Sequence, residues 1–244
     1  MGGLSENHFD GWVAEQYDDL FAGSFDAEVV EPAVSFLAEL AGDRRALELG
    51  VGTGRLALPL TQRGIPVAGI ELSSAMVDQL RARPGGEDLD VSIGDFSTTT
   101  VDGSFALAYL VRNTIMNLTT QDAQVECFLN VARHLEPGGC FVMEVVVPPW
   151  QRLQPGETIV PFDVSPEHVG FDEIDVVSQR SWSHHHWFVD GEARSFSAPF
   201  RYVWPSELDL MARLAGMTLR QRWSDWHRTA FTSTSSSHIS VWQV

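Results

Sequence analysis

The chain has 244 residues, 33 acidic and 16 basic, for a formal net charge of −17. All the basic residues are arginine, and the absence of lysine excludes a Walker-type G-K-[ST] phosphate loop and Schiff-base chemistry. So acidic a chain also lacks the basic track that RNA or DNA requires, and no segment approaches the ~20 apolar residues of a membrane span.

The length suits one doubly wound α/β domain with an elaboration. Cys127 and Cys140 show no metal spacing, and without a recognisable signal peptide they point to a reducing cytoplasm. Met1-Gly2-Gly3-Leu4-Ser5-Glu6 lacks the Ser or Thr of a myristoylation signal, and Asn117-Leu118-Thr119 carries no glycosylation meaning in that compartment.

Apolar periodicity predicts helices over 8–22 and 26–41, then strand 46–50, helix 54–63, strand 66–70, helix 73–82 and strand 90–93. Strand 105–111, helix 120–134 and strand 140–147 follow, with Leu135-Glu136-Pro137-Gly138-Gly139 as a turn before the last. This alternation predicts a mostly parallel sheet with helices on both faces and a ligand site beyond the carboxyl ends of the strands. Pro148-Pro149-Trp150 then stops the pattern. Alternating runs at 157–160, 174–177, 183–189 and 195–202, the last two flanking an Asp190-Gly191 hairpin turn, predict an antiparallel insertion. Helix 206–215, opened by Pro205-Ser206 with Asp209 and closed by Gly216, precedes strands 217–224 and 238–243. The organisation expected is a helical cap over 1–42, a core of 43–147 with 205–244, and an insertion over 148–204.

Ala46-Leu47-Glu48-Leu49-Gly50-Val51-Gly52-Thr53-Gly54 is an apolar strand running into alternating glycines. Glycine there lets backbone turn tightly and approach a ligand with no Cβ in the way. Gly52-Thr53-Gly54-Arg55-Leu56-Ala57 fits the looser dinucleotide pattern, so an NAD(P)-type cofactor is one reading. An ionised Glu48 at the entrance would repel a pyrophosphate and attract a cation, which favours the sulfonium and ammonium of S-adenosylmethionine. Glu71, about 20 residues on at a second strand end, suits ribose hydroxyls of either cofactor. Asp95 tips a third strand where an adenine amino group can donate to it, with Phe96 or Ile93 over the ring.

Taken together, E-L-G-V-G-T-G at 48–54, Glu71 with Leu72-Ser73-Ser74-Ala75-Met76, G-D-F at 94–96 and L-E-P-G-G at 135–139 resemble a class I S-adenosylmethionine-dependent methyltransferase. The resemblance spans roughly 40–147 in the family's order. It implies a seven-stranded Rossmann-like sheet with its last strands antiparallel at the edge. Cofactor contacts are implied at Glu48, Gly50, Gly52, Gly54, Glu71, Leu72, Met76, Asp95, Phe96 and Val111, with S-adenosylhomocysteine as product. One departure is Phe105-Ala106, where the family often has an acid; Ala106 is expected to remove only a surface charge.

The insertion resembles, in architecture more than residues, those of amino-sugar N-methyltransferases and other small-molecule enzymes of natural-product pathways, and is where acceptor choice is expected. The expected partner is a small-molecule acceptor taking methyl on N, O or S by in-line displacement, with a homodimer as a further possibility. Candidate reacting-centre residues are Tyr17, Asn113 and His185. Tyr17 lies in Ala14-Glu15-Gln16-Tyr17-Asp18, which resembles the family's segment folding over the site, and its ring suits a sulfonium; the alternative is a plain apolar helix stripe with Leu20 and Phe21. Asn113, after Arg112, follows the fourth strand at the carboxyl edge. His185 belongs to His184-His185-His186-Trp187; a base or hydrogen-bonding wall there competes with ordinary histidines, while a His184/His186 metal pair lacks a third ligand. Trp204, Trp223 and Trp226 read as core or pocket lining. An oxidoreductase and a non-catalytic S-adenosylmethionine-binding protein remain the competing functions.

Overall fold

A computed structural model describes residues 9, 11–189 and 192–244. Its helices are α1 (Trp12–Leu20), α2 (Ala27–Ala41), α3 (Ala57–Gln62), α4 (Ser74–Arg81), α5 (Gln121–His134) and α6 (Pro205–Leu214). Strands β1 (Ala46–Leu49), β2 (Val67–Glu71), β3 (Asp90–Ile93), β4 (Phe105–Leu110), β5 (Leu135–Val146), β10 (Thr218–Trp223) and β11 (Ser237–Gln243) form one sheet in the order β10-β11-β5-β4-β1-β2-β3. β1 to β5 run parallel, whereas β11 pairs antiparallel with both β5 and β10.

Alternation along the strands divides the core into two layers. Leu49, Ala108, Phe141 and Trp242 meet Phe128 of α5 and Met211 of α6. Leu107, Tyr109 and Val142 meet Val34 and Leu37 of α2 with Leu56 and Leu60 around α3. Both faces are therefore apolar, which is why β1 and β4 read as nearly unbroken hydrophobic runs.

A second sheet of four antiparallel strands stands between β5 and α6: β6 (Ile159–Val164), β7 (His168–Asp175), β8 (Arg180–Val189) and β9 (Glu192–Arg201), in that order. It is fastened to the core by Arg201, buried to 5 % exposure, which donates to Glu207 of α6 at 2.6 Å and is also bonded to Gln124 of α5. Val189 pairs with Glu192, and the expected turn between them, Asp190-Gly191, lies outside the described residues.

Several boundaries differ from the sequence reading. α3 starts at Ala57, because positive φ at Gly50, Gly52 and Gly54 holds the preceding residues in turns. β5 starts at Leu135, its Pro-Gly-Gly passing through a register shift against β4 instead of a separate turn. Val176 and Val177 are exposed in the β7–β8 connection, not in a strand. α6 has Pro205 in its first turn and no side-chain cap; Asp209 instead accepts from Arg222 and from the Trp242 indole at 2.9 Å. Ala106 is buried, so an acid there would sit in the core and not at the surface.

Candidate active site

One cavity of about 790 Å³ spans the carboxyl ends of β1, β2 and β4, the N-terminal helices and one face of the second sheet. That volume lies within the ~300–1,000 Å³ usual for ligand sites. Gly50, Gly52, Glu71, Leu72, Met76, Asp95 and Phe96 line one end. Asp172, Ser181, Ser183 and His185 line the other, with Phe162, Phe196, Phe200 and Tyr202.

The glycine turn is held from below by Glu71. Its Oε2 accepts the Gly52 N–H at 2.8 Å and its Oε1 the Ser73 N–H at 3.0 Å, so one carboxylate fixes both the turn and the start of α4. The Leu72 N–H is a third donor to this carboxylate, which leaves acceptor capacity for one further donor. Burial raises the Glu71 pKa above the usual carboxylate value, opposed by these amide bonds. Gly52 has φ +55°, and a Cβ there would stand 3.6 Å from the Met76 terminal methyl, another wall residue. A side chain at 52 would enter the cavity, so bare backbone here fits a closely approaching nucleoside-type cofactor. Asp95 Oδ1 accepts from the Ser97 N–H at 2.8 Å and hydroxyl at 2.7 Å, fixing the turn after β3.

Three expected contacts lie elsewhere. Glu48 is one residue short of the end of β1, so alternation turns it toward α2 and α3, opposite Tyr109, whose hydroxyl donates to its Oε2 at 2.9 Å. It is 3 % exposed and does not line the cavity. Burial, opposed by the Tyr109 bond and by Arg55, pushes its pKa up to about 8. At neutral pH Glu48 is mostly protonated and faces away from the cavity, so it presents no carboxylate to repel a phosphate there. Gly54 and Val111 also lie behind the wall; a Cβ at Gly54 would meet Leu58 and Leu80 at 3.0 and 3.2 Å, and Val111 packs in the core.

The three reacting-centre candidates all reach the cavity. Tyr17 is presented by α1, its ring 4.9 Å from that of Phe21. The next residue anchors the helix: Asp18 accepts the Thr53 hydroxyl at 2.8 Å from within the glycine turn and pairs with Arg83. Asn113 sits in a strained loop, with φ +54° at Arg112 and +61° at Asn113. Neighbouring β5 over-determines it, since Glu144 accepts the Arg112 N–H and Asn113 Oδ1 accepts the Val146 N–H at 2.7 Å. The Asn113 carbonyl is thus committed to the loop, leaving its amide N–H groups as donors.

His185 shares a face of β8 with Ser181, Ser183 and Trp187, while His184 and His186 point to the opposite face and bond Ser197 and Ser195. Burial, with His168, His184 and His186 nearby, pushes the His185 pKa down to about 4. It is neutral at physiological pH and by itself holds a proton weakly.

Asp172, Ser181 and Ser183, and Asp163 and His168 behind them, were missed by sequence reasoning. The strict alternation Ser181, Ser183, His185, Trp187 was a usable signal; Asp172 became visible only through its register with Ser183. Burial raises the Asp172 pKa, opposed by its hydrogen bond to Ser183.

Among the described residues there is no cluster of metal-binding side chains, and no helix is long and apolar enough to cross a membrane. A glycine turn and strand-end acids below a doubly wound sheet define a nucleoside-cofactor fold. The model of a methyltransferase domain matches residues 46–139. The CcbJ methyltransferase structure from Streptomyces caelestis superposes with a TM-score of 0.79 at 36% identity, over 87% of this chain and 88% of that one. CalS10, an amino pentose methyltransferase from Micromonospora echinaspora whose structure holds S-adenosylmethionine, shares the fold with a TM-score of 0.70 at 19% identity, over 97% of this chain and 98% of that one. The cypemycin N-terminal methyltransferase of a Streptomyces is 27% identical over 139 residues, 54% of this chain and 57% of that protein. The chain thus matches about half the length of the curated relatives. It belongs to the S-adenosylmethionine-dependent methyltransferases, and S-adenosylmethionine is the cofactor of that family.

Proposed function

We propose that this chain transfers a methyl group to an amine of a small natural-product acceptor. The observation that carries this is one continuous cavity, with the glycine turn and Glu71 at one end and Asp172 inside aromatic walls at the other. A carboxyl held in such apolar surroundings is best satisfied by a cationic donor, and an ammonium is the small-molecule group that matches. The amino pentose named for CalS10 and the N-terminus named for the cypemycin enzyme are of that chemical kind.

When bound, S-adenosylmethionine supplies an electrophilic methyl on a sulfonium, open to in-line attack by a lone pair. Glu71 is the candidate partner of the ribose hydroxyls, and Phe96 with Met76 and Leu72 form the apolar bed of the nucleoside. Tyr17 and Phe21 roof the middle of the cavity and exclude water, while the Asn113 amide is a donor at the same edge. Positioning and exclusion of water supply most of the rate in this reading. Asp172 orients the amine and takes its proton, since an ammonium has no lone pair.

Calorimetric titration with S-adenosylhomocysteine, NAD and NADP, followed by a methyl-transfer screen over amino sugars, peptide N-termini, phenols and thiols, tests the proposal. Binding of S-adenosylhomocysteine alone and turnover of amines is the expected result. Binding of NAD instead, or turnover restricted to hydroxyls or thiols, would overturn it. Binding without turnover of any class would favour a protein that holds the cofactor without transferring methyl.

A further inference from the structure

The acceptor wall contains more polar chemistry than orientation requires. Asp163 Oδ2 lies 2.7 Å from His168 Nδ1, His168 Nε2 lies 3.0 Å from His185 Nδ1, and His185 Nε2 lies 3.3 Å from the Ser183 hydroxyl. Ser183 is in turn bonded to Asp172, its partner across the β7–β8 ladder. One end of this chain of groups, Asp172, faces the cavity, and the other, Asp163, has a side chain 44% exposed to solvent.

We propose that Asp172, Ser183, His185, His168 and Asp163 form a proton wire that carries the acceptor ammonium's proton from the cavity to solvent. The inference rests on the amine reading above. The donors follow one direction from the outer end. An ionised Asp163 can only accept, so His168 donates from Nδ1 and its Nε2 accepts. His185 must then donate from Nδ1, which leaves its Nε2 to accept the Ser183 hydroxyl proton. While Asp172 is ionised the Ser183 hydroxyl donates to it; once Asp172 holds the ammonium's proton it becomes the donor to the Ser183 oxygen, and the hydroxyl turns to His185 Nε2.

Each transfer conserves protons and electron pairs. The ammonium N–H pair becomes the attacking lone pair as its proton passes to Asp172. The Asp172 proton moves to Ser183 as the serine's own goes to His185 Nε2, the His185 Nδ1 proton goes to His168 Nε2, and the His168 Nδ1 proton goes to Asp163. One proton leaves the cavity and Asp163 releases it to water; the starting tautomers return between turnovers, when His168 Nδ1 regains a proton from the Asp163 side, its Nε2 proton passes to His185 Nδ1, and His185 gives its Nε2 proton to water in the open cavity.

Packing holds the wire in line. His185 stacks on His168 and Trp187 with centroids 5.1 and 4.9 Å away and planes within 15°. Gly170 is the partner of His185 across the β7–β8 ladder, and a Cβ there would sit 2.2 Å from the Phe162 ring, so only glycine lets Phe162 cover His185. The titratable neighbours of His185 are Asp163 from β6, His168 and Asp172 from β7, and His184 and His186 on its own strand; β9 sets Phe196 against it. Burial among them disfavours its charged form, which suits a group that passes a proton without storing it.

Histidine 15N spectra of the whole protein at pH 7, with and without S-adenosylhomocysteine, read the tautomers directly. Both His168 and His185 are expected as Nδ1–H; an Nε2–H tautomer at either overturns the wire. His168→Phe keeps the stack and breaks the path. It should free the His185 tautomer, leave S-adenosylhomocysteine affinity and acceptor KM within about twofold, and lower kcat at pH 7 about tenfold, with the acid limb of the pH profile moved upward. Asp163→Asn should act likewise and Asp163→Glu should restore rate. Unchanged kcat in His168→Phe refutes the wire. If no amine is turned over although S-adenosylhomocysteine binds, the amine reading fails, whereas wrong tautomers in an enzyme that methylates amines sink the wire alone.

Discussion

Replacing Glu48 by Gln should make the protein progressively more stable than the wild type as pH rises. Burial disfavours the Glu48 anion and pushes its pKa in the folded state up to about 8, from an ordinary glutamate value of 4.5. Between those values the folded state keeps a proton that the unfolded chain loses, so unfolding releases it and wild-type stability falls with rising pH. The slope is at most about 1.4 kcal/mol per pH unit, and the whole effect is on the order of 5 kcal/mol. The contribution is fully present below about pH 4.5 and lost as pH passes about 8. The substituted amide is neutral throughout, and its carbonyl can still accept from Tyr109. Urea denaturation of both proteins at intervals from pH 5 to 9 gives the difference directly. A near-zero or slightly negative difference at pH 5, growing by several kcal/mol by pH 8, is expected. A flat difference, or a wild type gaining on the Gln variant as pH rises, would refute the reasoning and mean that Glu48 is ionised and stabilised by Arg55. Since Glu48 lies behind the cavity wall, S-adenosylhomocysteine affinity should change by no more than about threefold.

Glu71→Ala should lower S-adenosylhomocysteine affinity at least tenfold by calorimetry and cost about 2–4 kcal/mol of stability, because two buried amides lose their acceptor; unchanged affinity would remove Glu71 from the cofactor site. Arg201→Met should destabilise the fold by about 2–4 kcal/mol in urea, because Glu207 keeps only the neutral donors Gln121 and Gln179 and the Gln124 side-chain carbonyl loses its donor. Asp172→Asn should raise the KM of an amine acceptor, lower its kcat and leave S-adenosylhomocysteine binding within about twofold; an equal loss of cofactor and acceptor binding would show that Asp172 serves the fold instead of the acceptor. Gly52→Ala, at φ +55° and facing Met76, should weaken S-adenosylhomocysteine several-fold with about 1 kcal/mol lost in stability.

Glycine spacing, strand-end acids and the hydrophobic period are local properties, so the chain alone determined the α/β order, the antiparallel insertion after β5 and the cofactor turn. Gly50, Gly52, Glu71, Leu72, Asp95 and Phe96 reach the cavity because each sits at a strand end or in the turn beyond it, and Met76 because it lies in the first turn of α4 just after β2. Glu48 shows the limit of that reading: one residue of strand phase decides whether a side chain meets the ligand or the helix layer. Phase at the end of a strand is set by pairing with β4, which no local pattern records. The acceptor wall depended still more on tertiary structure. Asp172 faces Ser183, and His168 reaches His185, only through the β7–β8 register, and Phe162 covers His185 only because residue 170 is glycine. The sequence by itself determined that the chain is built for a nucleoside-type cofactor; the tertiary structure decided which polar groups meet in the acceptor half, because cross-strand register and contacts such as Trp12 of α1 on Trp187 of β8 join residues far apart in the chain.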